Sequence, residues 1–298
     1  MDDLNAVYAQ RLGVEERGRL RFAPARTGVL SWNTFAQEGR VAFRLLRAGT
    51  ADGDWLDHSR WEPGGSTSLN ATHEGTSVDV DVITARLPFD GIEVAASGVR
   101  FELIAFSAPV APRYGTPHAQ SAFILDIPKV SQYADDRDER GWCSPTSLAM
   151  IHAHHGIAVP VEEVARQVFD RAYNGTGNWS FNVAYSGRLG FRGAVAHFAS
   201  FEHARKLIER NLPLAISYSW AESELDGAPL PHSDGHLAVL CGFAANGDCV
   251  LNDPAHPAIR VVYPRAQLER LWLRNHGVAY VVAPLGREYA DVLTNPDA

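Results

Sequence analysis

The chain has 298 residues, of which 46% are hydrophobic and 21% are charged, and its formal net charge is −8 at pH 7. This length suits one large domain or two ordinary ones, and the composition is typical of a soluble globular protein with a sizeable core. The acidic balance argues against a nucleic acid or an anionic membrane surface as a partner, because either would need a basic face.

Neither a membrane span nor an export signal is predicted. No stretch reaches the roughly 18 consecutive apolar residues of a membrane-spanning helix, so membrane insertion is not expected. The beginning of the chain, MDDLNAVYAQRLGVEERGRL, lacks the basic and then apolar pattern of a signal peptide. As written, the sequence predicts a cytoplasmic protein, with secretion as the alternative if an export signal has been removed.

The first part of the chain has the pattern of β-strands. Residues 1–24 predict an N-terminal arm, either a short helix or an extended segment. Short stretches with alternating or β-branched residues follow, separated by Gly, Pro and Asp; they are TGVLSWNTF, RVAFRLLRAG, SVDVDVITARL, GIEVAASG and VRFELIAFSA. This pattern predicts an all-β sandwich domain over residues 25–108. Trp55 and Trp61 are six residues apart and are expected to share a strand face, in core or interdomain packing, with a sugar platform as the alternative.

A linker is predicted at residues 109–119, PVAPRYGTPHA, which contains three prolines and a glycine. Residues 120–298 then form the second predicted domain, in which helices precede strands, as in the α+β class. The predicted helices are 145–155, 161–170, 201–210 and 265–273, and the predicted strands are 213–220, 236–243, 249–252, 258–263 and 278–283.

One cysteine, Cys143, stands where the first of these helices begins. Ser144 is predicted to cap the helix, and Pro145 suits the first turn because its missing N–H costs nothing there. The helix dipole and the unpaired N–H groups favour a thiolate, which is the nucleophilic form of cysteine. Cys241 and Cys249 are instead expected to be buried thiols on paired strands, with a disulfide across a hairpin as the alternative.

A cysteine nucleophile needs a base and a residue that orients the base. His236 opens an apolar strand, and Asp253 ends the next one. A two-residue turn between these strands would leave His236 four residues, or roughly 13 Å, beyond the position opposite Asp253. A wider loop at about 242–247 would bring the two residues opposite each other, and Asn252 and Asp234 are the substitutes if the loop is tight.

Three histidines in the segment HAHH, His152, His154 and His155, do not form a recognised metal motif, since neither HExxH nor paired cysteines accompany them. They are expected to pack at the end of the helix or to lie on the surface. His232 lies in a turn-rich segment and is expected on a loop surface, with a position in the cleft lining as the alternative. No metal site is predicted.

Two longer stretches, IPKVSQYADDRDERGWCSPTSLAMIHAHHG and GHLAVLCGFAANGDCVLNDPA, resemble the C39-like branch of papain-fold cysteine peptidases. The resemblance covers about residues 120–284, and the segment GNWSFNVAYSGRLGF is similar to one in stand-alone members that carry an N-terminal β-domain. By position, it implies an oxyanion-hole side chain, a nucleophile, a general base and an orienting carboxylate, which are Gln132, Cys143, His236 and Asp253. Trp142 and Trp179 are assigned to substrate binding, with core packing as the alternative for Trp179.

The function predicted from these residues is hydrolysis of a peptide or related amide bond through a thioester acyl-enzyme, without a cofactor. One alternative keeps the papain-like fold and the three residues but makes the enzyme an acyltransferase or amidase. The other is a catalytically inactive peptide- or glycan-binding protein. The β-domain is a candidate for contact with a glycan or a cell surface.

Overall fold

A computed structural model describes residues 8–35, 38–62, 64–115, 121–133, 141–289 and 292–293. Residues 1–7 of the predicted arm and 116–119 of the predicted linker lie outside these described residues. Helices and strands are mixed, with a large β-sheet region. Among the described helices, none has both the length and the apolar character to cross a membrane.

The chain packs into two compact units that interleave along the sequence. We call the first the β-rich unit; it contains the described part of Asn5–Pro109, then Arg166–Val195 and the described residues after Val282. We call the second the mixed unit; it contains the described residues of Val110–Ala165 and Ala196–Val282. The linker was predicted as the one boundary, with residues 166–195 in the peptidase domain, whereas the structure groups these residues with the β-rich unit.

Over its described residues, the β-rich unit is built on one antiparallel sheet of nine strands. Seven follow one another in the order β1-β9-β2-β8-β3-β4-β5, β7 pairs with β8, and β6 pairs with β7. The strands are β1 (Tyr8–Glu15), β2 (Arg17–Thr34), β3 (Gly39–Arg47), β4 (Thr50–Trp61), β5 (Thr67–Ser68), β6 (Thr72–His73), β7 (Thr76–Asp79), β8 (Val82–Ser97) and β9 (Phe101–Ser107). The predicted arm boundary at residue 24 therefore falls inside β2.

This single sheet differs from the predicted sandwich of two sheets, and strand length is the reason. β2 has 18 residues and β8 has 16, and bulges interrupt their pairing between Arg21 and Ala25 and again before Thr27. A bulge bends a strand and increases its twist, so one long strand can pair with different neighbours in its two halves. Bulges between β3 and β4 also change the alternation, so that Trp61 is buried while Trp55 is exposed. The prediction that these tryptophans share a face was wrong.

Residues 166–195 are held in the β-rich unit by buried polar contacts. The Asn33 side chain donates to the main-chain oxygens of Val183 and Gly193 at 3.0 and 2.9 Å and accepts from the Gly193 N–H at 2.8 Å. Asp81 accepts from the N–H groups of Trp179 and Ser180 at the start of a helix. These bonds satisfy groups that would be costly to bury alone, and they explain why this segment packs with the β-rich unit.

The remaining strands are β10 (Phe123–Ile124), β11 (Phe191–His197), β12 (Leu214–Trp220), β13 (Ser233–Phe243), β14 (Cys249–Asn252), β15 (Arg260–Tyr263) and β16 (Val278–Pro284). They form a seven-stranded sheet of order β11-β16-β12-β13-β14-β15, with β10 on β13. The helices are α1 (Cys143–His154), α2 (Val161–Val168), α3 (Trp179–Arg188), α4 (Phe201–Glu209) and α5 (Arg265–Arg274). Helix α1 packs on β12 and β13, and its residues Ser144 to His152 are all buried.

The pairing of β13 with β14 lies between the two alternatives considered from the sequence. Phe243 pairs with Cys249 across a five-residue loop, and a bulge then shifts the register so that Val239 pairs with Asn252. The bulged residue, Cys241, turns its carbonyl to the Leu125 N–H at 2.9 Å. The loop and the bulge together move the end of β14 toward the start of β13, and this displacement positions the site described below.

We expect Gly242→Ala to lower the free energy of unfolding by about 3 kcal/mol, because overpacking beside the bulge forces backbone to move. A Cβ at Gly242 would lie 2.0 Å from the Phe123 carbonyl oxygen. Urea unfolding followed by circular dichroism measures the loss. Gly235→Ala on the same strand is the control, since nothing lies within 4 Å of its Cβ position; equal losses in both variants would contradict the explanation.

Candidate active site

Cys143 is the first residue of helix α1 and is partly exposed. Trp142 occupies the N-cap position without a side-chain capping bond, so the prediction that Ser144 caps the helix was wrong. The Ser144 hydroxyl is buried and hydrogen-bonds to the Tyr280 hydroxyl at 2.8 Å. Because the first N–H groups of a helix have no partner within it, the Cys143 N–H remains outside the helical ladder, next to its own thiol.

His236 lies on β13, and its imidazole Nε2 is 2.8 Å from Oδ1 of Asp253. The register makes this contact possible. One residue beyond the pair Val239–Asn252, Asp253 comes level with Ala238, so His236 lies two residues further along on the same face. Diagonal neighbours of this kind are about 7 Å apart at their backbones, a distance that two side chains can span.

The imidazole of His236 lies close enough to the Cys143 thiol to stabilise its ionised form. Burial opposes ionisation of the thiol, but the interactions with His236 and a hydrogen bond from the Leu237 main chain bring the pKa of Cys143 below its ordinary value. Burial also disfavours the charged imidazole, but the Asp253 carboxylate outweighs this effect and holds the pKa of His236 above its ordinary value. Opposite shifts of this kind favour a thiolate beside an imidazolium.

Asp253 is fully buried and accepts four hydrogen bonds. His236 Nε2 and the Ala255 N–H reach Oδ1, at 2.8 and 3.0 Å. The hydroxyls of Tyr263 and Tyr218 donate to Oδ2, at 2.8 and 3.2 Å. Burial raises the proton affinity of the carboxylate, but these interactions, with His236 first, hold the pKa of Asp253 below its ordinary value.

Aromatic rings enclose the imidazole of His236. Tyr218 pairs directly with His236 across the two strands, and the edge-to-face ring centroids are 5.5 Å apart. Trp220 contacts the imidazole at the same distance and stacks on Tyr218. Two cavities of about 440 and 500 Å³ share Trp220 as a lining residue. Tyr218, Trp220 and Tyr263 were not predicted as site residues, although Tyr218 and Trp220 are two apart on one strand and so face the same side.

The other predicted site residues are placed as follows. Gln132 is buried, and its N–H donates to the Pro254 carbonyl next to Asp253 at 2.9 Å. Within the described part of the chain, its Oε1 has no hydrogen-bond partner. Trp142 is partly exposed beside Cys143. Trp179 begins α3 in the β-rich unit, where its N–H donates to Asp81.

The substitutes for Asp253 lie elsewhere. Asn252 is turned away from His236, since its side chain donates to the Ile127 and Pro128 carbonyls, both at 3.1 Å. Asp234 is exposed at the start of β13, and so is His232 just before it. Asn252 and Asp253 therefore point to opposite faces, as the alternation of side chains along a strand predicts.

The histidines of HAHH lie in the last turn of α1 and just after it, where the rings of His154 and His155 are 4.9 Å apart. His152 is buried in α1, and His154 bonds to Asn211 at 2.9 Å. Over the residues that the structure describes, no group of three or more His, Cys, Asp or Glu side chains could hold a metal ion. Cys241 and Cys249 are free, buried thiols. Burial raises the pKa of Cys241 to about 12 and that of Cys249 well above its ordinary value.

These shifts predict selective alkylation of one cysteine in three. We expect iodoacetamide at pH 7 to label Cys143, because only its thiol pKa is lowered, whereas Cys241 and Cys249 stay protonated and shielded. The rate should fall as acid protonates the thiolate, with a midpoint below the ordinary thiol pKa of about 8.5. Mass spectrometry of peptides labelled across a pH series measures the alkylation rate of each cysteine. Equal labelling of all three cysteines would contradict the prediction.

The residues of this site lie in a part of the chain that resembles known proteins. A sequence model described as "Peptidase_C39 like family" matches residues 124–280. A solved C39-like peptidase structure from Bacillus anthracis has 18% identity and a TM-score of 0.45, covering 56% of this chain and 100% of its own. A double glycine motif protease from an AMS/PCAT transporter, solved with a leader peptide, has 19% identity and a TM-score of 0.39, covering 56% and 97%.

The peptidase domain of Streptococcus ComA has 17% identity and a TM-score of 0.36, covering 54% of this chain and 98% of its own. The sequence matches no curated protein. The family match spans more than half of the chain and includes the cysteine, the histidine and the aspartate described above. The chain therefore belongs to the Peptidase_C39 like family.

Proposed function

We propose that the protein is a cysteine peptidase that hydrolyses a peptide or related amide bond through Cys143, His236 and Asp253. The observation that carries this proposal is the 2.8 Å hydrogen bond between His236 and the buried Asp253 carboxylate, together with the interaction of the same imidazole with the Cys143 thiol, which lowers the pKa of that thiol. A nucleophile, a base within hydrogen-bond reach and a third group that orients the base are what covalent acyl transfer requires.

In the first step, the Cys143 thiolate adds to the carbonyl carbon of the substrate, and the electron pair of the carbonyl moves to its oxygen. The Cys143 N–H is positioned beside the sulfur, and the Gln132 side-chain amide is the proposed second donor to this oxyanion. A donor of this kind is worth about 3 kcal/mol in the transition state. The buried Gln132 side chain and its main-chain bond beside Asp253 support this assignment.

In the second step, the carbon–nitrogen bond breaks and the His236 imidazolium gives its proton to the leaving amine. A thioester on Cys143 remains. His236, now neutral, takes a proton from water as the water attacks the thioester, and the thiolate leaves beside the re-formed imidazolium. Asp253 stabilises that imidazolium and fixes its orientation, so His236 serves as base and acid in turn.

We further infer a papain-like arrangement for the mixed unit. Helix α1 carries the nucleophile at its N-terminus and packs on β12 and β13, while β13 and the end of β14 supply His236 and Asp253. The mechanism uses only these side chains and the main chain, and no step in it is routed through a cofactor.

Labelling followed by cleavage tests the proposal. A thiol-directed acyl probe is expected to modify Cys143 in the folded protein, and a peptide-library screen is expected to yield cleaved products. Folded protein that leaves Cys143 unmodified and the library intact would refute the proposal and favour the inactive binding protein. Product analysis with added amines distinguishes hydrolysis from acyl transfer, since an amine adduct forms only if amines compete with water for the thioester.

A further inference from the structure

Two tyrosines meet at one oxygen of Asp253. Tyr263 lies on β15 and Tyr218 on β12, on opposite sides of the strands that carry His236 and Asp253. Their hydroxyls donate to Oδ2 at 2.8 and 3.2 Å, and both side chains are buried. The mechanism proposed above does not use either hydroxyl.

The two tyrosine hydroxyls complete the hydrogen bonding of the Asp253 carboxylate. A carboxylate offers about four lone-pair positions, and Asp253 uses two on Oδ1 for His236 and Ala255. The two tyrosines occupy the remaining two on Oδ2. A protonated carboxyl group could not accept all four bonds, so this arrangement fits the ionised form alone. It also leaves one orientation, in which Oδ1 faces His236.

The burial of Asp253 increases the importance of these hydrogen bonds for its charge. Asp253 is fully removed from water, so each lost donor would leave part of a buried charge uncompensated. Burial, and then the neighbouring Asp253 charge, raises the pKa of Tyr218 well above its ordinary value, and the same two causes act in the same direction on Tyr263. Both hydroxyls therefore stay protonated and remain donors wherever the thiolate–imidazolium pair exists.

We propose that Tyr263 and Tyr218 are positioning residues that hold Asp253 ionised and turned toward His236, and through His236 maintain the thiolate of Cys143. The inference rests on the proposed function and extends it by two residues that do not touch the reacting atoms. Among the described residues, the ionisable groups that interact with Asp253 include His236 on β13, Cys143 on α1 and the two tyrosines themselves. Tyr218 also contacts the imidazole ring, so it restrains both members of the His236–Asp253 pair.

Tyr263→Phe, Tyr218→Phe and the double variant test the proposal, with iodoacetamide alkylation of Cys143 as the probe. Without a hydroxyl, Asp253 is less well held, the imidazolium loses support, and the thiol pKa rises toward its ordinary value. We expect the acid-side midpoint to rise by about 0.5 to 1 pH unit in each single variant, which is about 3- to 10-fold slower alkylation on the acid limb. The double variant should shift further.

Tyr280→Phe is the matched control. Tyr280 is a fully buried tyrosine of the same sheet, and its hydroxyl bonds to Ser144 instead of Asp253. Its removal should lower the melting temperature about as much as the other two changes, but leave the alkylation midpoint unchanged. A purely structural role for Tyr263 and Tyr218 would make all three variants behave like this control.

An unchanged or lowered midpoint in folded Tyr263→Phe protein would overturn the proposal. If Tyr263→Phe does not fold, Tyr218→Phe carries the same test, since its hydroxyl bonds to the same oxygen. The pH profile of wild-type alkylation distinguishes failure of the proposed function from failure of the tyrosine inference. An ordinary thiol midpoint in the wild type would reject the proposed nucleophile itself, whereas a low wild-type midpoint that the variants leave unchanged would reject only the tyrosine inference.

Discussion

Cys143→Ala is expected to abolish hydrolysis of any peptide that the wild-type protein cleaves, because no thioester can form without the sulfur. The variant should still fold, since Cys143 lies at a partly exposed helix start and loses only one atom. We expect its free energy of unfolding to change by about 1 kcal/mol or less. Product formation measured by mass spectrometry, together with urea unfolding, checks both statements.

Cys241→Ala provides the matched control for removal of a thiol. Cys241 is buried at the bulge of β13, where its thiol donates to the Val239 carbonyl at 3.3 Å. This variant should retain hydrolysis while losing about 1 kcal/mol of stability. Substantial product formation by the Cys143→Ala protein would remove the covalent mechanism, whatever the control does.

His236→Gln is the second change with a large expected effect. Glutamine can still donate a hydrogen bond to Asp253, so the buried carboxylate keeps a partner, but it cannot take up or deliver a proton. We expect kcat/KM to fall about 10³-fold, within the range for loss of general acid–base catalysis. The thiol pKa of Cys143 should rise because the imidazolium is gone, so alkylation at pH 7 should slow as well.

His154→Gln serves as the control for this substitution. His154 ends the same helix that Cys143 begins, roughly 16 Å away along its axis, and its ring bonds to Asn211. Both the cleavage rate and the alkylation rate should be those of the wild type. If His236→Gln retained wild-type alkylation at pH 7, the imidazole would not be the group that ionises the sulfur.

Much of the mixed unit can be read from short-range patterns. The helix that begins at Cys143, the strand that carries His236 and the strand that precedes Asp253 were predicted to within three residues. The proline in the first turn of α1 and the apolar strand after His236 are local signals that do not depend on the rest of the chain. Helix α3 was not predicted, although Asn178 caps it by accepting from the Phe181 N–H at 3.0 Å.

The register between β13 and β14 could not be predicted from local patterns. From the sequence, a tight turn and a wide loop after β13 were both open, and the structure has a five-residue loop followed by a bulge at Cys241. That bulge depends on Leu125 and on the approach of Phe123 to Gly242, residues more than 100 positions away. A turn motif such as Asn246-Gly247 carries no information about such distant contacts.

The exposure of Trp55 and the contacts of the two tyrosines with Asp253 also could not be predicted from local patterns. Alternation predicts which residues share a face only while a strand is regular, and each bulge reverses it. Tyr218, Tyr263 and Asp253 converge from three strands, and nothing near any one of them indicates the other two.

Local backbone preferences and side-chain periodicity were therefore enough to place the thiol at a helix N-terminus and the histidine and aspartate near the ends of strands. The register that brings these ends together, the single sheet of the β-rich unit and the hydrogen-bond donors around the carboxylate came only from the folded chain. The reason is physical: periodicity is a property of neighbouring residues, whereas register minimises the free energy of a whole sheet, including bulges held by distant segments.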